Sequence, residues 1–111
     1  MTAPVPQLAT RLRAEHIDEL LLKCTGWAYS PDRGGTITRE FLFADFRQAF
    51  GFMAQVALMA EKRNHHPEWS NLYNRVSITL TTHDVSGLSM KDIKFAQLAD
   101  RTYALYDAQP A

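Results

Sequence analysis

The hydrophobic period of this chain changes from helical to alternating across a single proline, and that switch constrains the fold more than any other feature. Between Asp45 and Glu61, Phe46, Ala49, Phe50, Met53, Ala57 and Ala60 recur at three- and four-residue steps, which is one apolar face of a long helix. Asp45 stands where its side chain can cap the first turn. Further on, Val76, Ile78 and Leu80 alternate with Arg75, Ser77, Thr79 and Thr81, the period of a strand with one face packed. Pro67 lies between the two patterns. It cannot continue a helix, and its ring drives His66 toward extended backbone. A helix must therefore give way to a strand around His65-His66-Pro67.

The other elements follow from the same rules. From about Leu12, Ile17, Leu20, Leu21 and Cys24 form an apolar stripe, so Cys24 is placed on a first helix that Gly26 stops. Trp27–Ser30 reads as a short strand, PDRGG as a turn and TITREFLF as a second strand, together a hairpin. Ser89 followed by Asp92 resembles a capping box opening a helix that buries Ile93, Ala96, Ala99 and Tyr103. The fold class expected is α+β: an antiparallel, four-stranded-type sheet with helices on one face, ordered α-β-β-α-β-α with room for one more strand beside the last. With 111 residues the chain fits a single domain, 1–111, in which residues 1–8 make a flexible tail and the end beyond Tyr106 frays.

Charge and cysteine usage narrow the function classes. Lys+Arg and Asp+Glu are 12 each, with no basic block along the sequence to neutralise a phosphate backbone, so no direct nucleic-acid partner is expected. A net charge of zero also does little to keep copies apart, which leaves self-association open. Cys24 is the only cysteine, which excludes an intramolecular disulfide and a multi-cysteine zinc site and fits a reducing compartment. There is no secretory leader pattern and no apolar run long enough to cross a bilayer, so the expected location is cytoplasmic and no membrane partner is expected.

Three of the four histidines fall between Glu61 and His83, while His16 stands alone on the first helix. His65, His66 and His83 suit acid and base work near neutral pH, a metal site, or the polar capping of a helix end. Adjacent residues of an extended chain point to opposite faces, so His65 and His66 are poorly placed to share one ion. One histidine with His83 and Glu61 would still make a facial triad, so the residues alone leave metal open. Trp27 reads as a core or rim aromatic unless its ring borders a cleft.

The run from Asp45, DFRQAFGFMAQVALMAEKRNHHPEWSNLYNRVSITLTTHDVSGLSMKDI, closely resembles the pterin-4a-carbinolamine dehydratases, and the match extends through most of the chain. It is carried by His65-His66-Pro67-x-Trp69, Tyr73-Asn74-x-Val76 and Thr82-His83. The resemblance implies a hydro-lyase that converts 4a-hydroxytetrahydropterin to quinonoid dihydropterin, recycling the cofactor of aromatic amino acid hydroxylases with no cofactor of its own. It implies catalytic residues His65, His66 and His83, with His65 and His83 as acid and base and His66 orienting the pterin. Substrate contacts then fall to Glu61, Asn64, Trp27, Thr81 and Thr82. Family members often have Asp where this chain has Asn64 and an aromatic where it has Ser70. Asp92 aligns with a family position near the site, but the capping box accounts for it without catalysis, and Trp69 reads as packing. The resemblance further implies a homodimer or homotetramer joined through sheet edges and helices, and a functional link to a hydroxylase. Some relatives instead serve as dimerisation cofactors of a transcription factor, a coactivator-type binding role.

Overall fold

A computed structural model describes residues 10–107, so the expected tail over 1–8 and residues 108–111 lie outside the described part. Strands β1 (Ala28–Ser30), β2 (Thr36–Leu42), β3 (Glu68–Leu72) and β4 (Arg75–Leu80) pair antiparallel in the order β1-β2-β4-β3. Helices α1 (Ala14–Leu21), α2 (Phe46–Arg63) and α3 (Met90–Asp107) complete an α+β domain. Val76, Ile78 and Leu80 of β4 are buried while their neighbours are less so, as the alternation requires.

The expected hairpin forms, with Ala28 opposite Thr38 and Ser30 opposite Thr36. Its turn places Arg33, Gly34 and Gly35 at positive φ, and Gly34 presses so close to the Ser86 carbonyl that a side chain there would collide with it. That close approach brings the hairpin turn against the loop after β4. Asp45 caps α2 as expected, its carboxylate accepting from the Gln48 N–H at 2.9 Å.

Three details depart from the expectation. Helix α1 is shorter: Leu12 precedes it, held by its N–H to the Leu88 carbonyl at 2.8 Å, and Cys24 follows it in a turn. Cys24 is nonetheless fully buried, and burial first, then the nearby Asp100 charge, pushes its thiol up to about 11, which makes it inert at neutral pH.

Helix α2 buries Ala49, Phe52, Val56 and Ala60, whereas Phe46 and Phe50 are 47% and 58% exposed. Apolar residues occupy most faces of this helix, so two stripes sharing Ala49 and Ala60 satisfy the same period. The sheet takes the one containing Phe52, which packs on Phe41 at 4.9 Å between ring centroids.

The further strand lies before the one the alternation marks: β3 is Glu-Trp-Ser-Asn-Leu and pairs Glu68 with Thr79 through Leu72 with Arg75. The turn into β4 uses Tyr73 at φ 51, supported by Asn71 Nδ2 donating to the carbonyls of Tyr73 and Arg75. With β3 on the outside, its other edge is unpaired among the described residues.

Candidate active site

The site is built at the end of α2. Asn64 takes the left-handed conformation (φ 50, ψ 44) and its N–H returns to the carbonyls of Ala60 and Glu61, closing the helix as a residue tolerant of that conformation can. The chain then leaves the helix through His65 and His66, and the two rings part. His65 turns inward with its side chain 10% exposed, and His66 turns outward at 57%. His66 Nε2 lies 2.7 Å from the Glu61 carboxylate one turn back on α2.

His65 meets Asp92 at the start of α3, with Nε2 2.6 Å from Oδ1, and Asp92 is fully buried. The other oxygen, Oδ2, accepts from the Thr82 hydroxyl at 2.7 Å and the Ser89 N–H at 3.0 Å. The capping-box reading of Asp92 is right as far as it goes, since its carboxylate reaches back to the Ser89 N–H; the same carboxylate also holds a histidine. The hydrogens follow from the chemistry. An ionised carboxylate only accepts, so Thr82 gives it its one hydroxyl proton, and the Ser89 hydroxyl, 2.7 Å away, donates to Thr82 in turn. By the same logic His65 carries a proton on Nε2, and in the neutral ring the lone pair is then on Nδ1.

His83 comes from the other side, at the head of a short 3-10 turn (His83–Val85) after β4. Its Nε2 lies 3.9 Å from the Glu68 carboxylate on β3, and Glu68 is clamped by both terminal nitrogens of Arg33 at 2.6 and 2.9 Å. The hydrogen bond from Arg33 draws the Glu68 carboxyl below its ordinary range. The loop carrying His83 is pinned by Thr81, whose hydroxyl donates to the Gly35 carbonyl at 2.8 Å, and by a bridge between Thr82 and Gly87.

These groups border a cleft of about 260 Å³ whose walls include His65, His66, His83, Asn64, Thr81 and Thr82. Glu61 stands behind His66 rather than in the wall. Trp27 is not brought to the cleft: it is buried, its edge packs on Phe41, and its indole N–H donates to Asp100 at 2.9 Å. Among the described residues no group of three or more His, Cys, Asp or Glu side chains converges as a metal would require, and the facial triad of one histidine, His83 and Glu61 does not assemble.

Four residues of the site carried no such role in the sequence reading. Glu68 lies inside the His-His-Pro-x-Trp motif, so its position was a signal, but its Arg33 partner is 35 residues away and no local pattern links them. Asp92 and His65 are 27 residues apart. Lys91, which also borders the cleft, follows from Asp92 once α3 is placed beside α2.

The chain is similar in sequence and in fold to known proteins. The sequence profile of the family described as Pterin 4 alpha carbinolamine dehydratase matches residues 10–102. A protein of Rhizobium johnstonii named "Putative pterin-4-alpha-carbinolamine dehydratase" is 48% identical over 94 residues, covering 85% of this chain and 92% of its own. One of the same name from Sinorhizobium fredii is 50% identical over 94 residues, covering 85% and 89%. The crystal structure of a transcriptional coactivator/pterin dehydratase from Brucella melitensis superposes with a TM-score of 0.81 at 48% identity, covering 85% of this chain and 99% of that one.

Proposed function

The chain belongs to the pterin 4 alpha carbinolamine dehydratase family, and we propose that it is an active hydro-lyase, taking a 4a-hydroxytetrahydropterin in the histidine cleft and removing water from it. The C4a–O bond breaks, a C=N bond forms to the neighbouring ring nitrogen, one proton joins the leaving oxygen and one leaves that nitrogen. Nothing is oxidised or reduced, so a positioned acid and base are sufficient without metal or redox cofactor.

The observation that carries this reading is the 2.6 Å bond from His65 Nε2 to the fully buried Asp92 carboxylate. It leaves Nδ1 as a base on a ring that borders the cleft, and it holds a carboxylate against the imidazolium formed once a proton is taken. His83 is assigned the acid. Its exposure lets it reload from water between turnovers, and Glu68 lies 3.9 Å away to orient the ring. His66, paired with Glu61, binds and orients the pterin, and Asn64, Thr81 and Thr82 shape the wall around it. The physiological role this implies is recycling of the pterin spent by an aromatic amino acid hydroxylase. Purified protein is expected to dehydrate a carbinolamine generated in situ faster than it decays alone, with the rate unchanged after dialysis against a strong chelator. A rate lost with the chelator and restored by metal would contradict the mechanism.

Self-association belongs to the same reading. Among the described residues the outer edge of β3 has no partner strand, and Phe46, Phe50 and Leu58 of α2 are exposed. Sedimentation at assay concentrations is expected to return the mass of two or four chains, and a monomer would contradict this.

A further inference from the structure

A groove leaves the histidine cleft along α2 and α3; the cleft has one carboxylate in its wall, Asp84, whereas the groove is lined by cations with no carboxylate among the described residues. His65 and Lys91 border both the cleft and an adjoining depression of about 170 Å³ completed by Arg63 and Lys94. Arg63 and Lys94 in turn border a third depression that reaches Arg101. Lys91, Lys94 and Arg101 share one face of α3 by their three- and seven-residue spacing. None of these four cations is in an ion pair among the described residues. In a chain of formal net charge zero they gather positive charge along the groove beyond the cleft, where no carboxylate of the lining offsets it, and the acid and base chemistry uses none of them.

We propose that this groove receives the side chain of the substrate pterin, and that the side chain ends in an anionic group, a carboxylate or a phosphate. The inference rests on the pterin reading of the cleft. The groove opens into the cleft through His65 and Lys91, so its charge is offered to a molecule already anchored at the histidines. At about 1.5 Å per residue along the helix, Lys94 lies about 4–5 Å beyond Lys91 and Arg101 about 15 Å beyond it, within reach of an extended ring substituent. Lysine offers a point charge and arginine a planar fork, and both suit carboxylate or phosphate oxygens.

The test compares carbinolamines that share the pterin ring and carry a neutral, a carboxylate-ended or a phosphate-ended side chain, on the full chain and on K94Q/R101Q. Both residues are exposed and neither borders the histidine cleft, so the neutral substrate is expected to turn over alike in the two proteins. The anionic substrates are expected to show a KM about 2- to 30-fold lower than the neutral one in the parent protein, as one or two exposed ion pairs allow, with similar kcat. K94Q/R101Q and raised salt are each expected to shrink that advantage. The larger of the two anionic advantages identifies carboxylate or phosphate as the tail. Equal KM for neutral and anionic substrates, or an advantage that survives K94Q/R101Q, overturns the proposal. Binding of unreactive dihydropterins with the same three side chains is measured alongside. If no carbinolamine is dehydrated, the dehydratase reading fails, while the binding preference still upholds or overturns the groove.

Discussion

Asp92→Asn is expected to lower kcat by about 10²- to 10⁴-fold in a protein that still folds, because the substitution removes the group that fixes the His65 tautomer. The carboxylate receives His65 on one oxygen and the Thr82 hydroxyl with the Ser89 N–H on the other. An amide has one accepting oxygen and one donating nitrogen, and neither orientation serves both sides. If the NH2 faces His65, Nε2 must accept, the ring proton moves to Nδ1, and the base is lost. If it faces Ser89, two donors confront each other in a fully buried place, at about 1–3 kcal/mol of stability. The measurement is kcat together with the unfolding free energy. An Asp92→Asn protein that turns over like the parent would show that Asp92 only caps α3.

How far the sequence led is clearest at this same residue. The cap was visible because Ser89 and Asp92 sit three apart beside a helical pattern, and that chemistry is local. The contact with His65 was not, because it depends on α3 lying beside the end of α2. The corner at Pro67, the α2 cap at Asp45 and the β1–β2 hairpin were legible for the same local reasons. Strand β3 was hidden because Glu-Trp-Ser-Asn-Leu has weak strand propensity and no clean alternation, and its turn places Tyr73 rather than glycine at positive φ. The face of α2 was ambiguous since two apolar stripes fit one period, and only the sheet chooses between them. The cations of the groove form no run in the sequence. They gather because three of them recur at helical spacing and Arg63 meets them from α2. Trp27 shows the converse: its reading as a core aromatic describes the place where Asp100 and Phe41 hold it.

In the proposed reaction His65 and His83, brought from two elements to one cleft, act as base and acid on a pterin carbinolamine. The most direct measurement is the dehydration rate of His65→Ala/His83→Ala beside that of the parent. Removing His65 leaves Asp92 without one of its donors, so His65→Gln/His83→Ala, whose amide can still donate to Asp92 but cannot act as a base, is measured with it. Either double variant, confirmed folded, is expected to lose at least about 10²- to 10⁴-fold in kcat. A folded double variant that dehydrates the carbinolamine at the parental rate would contradict the account.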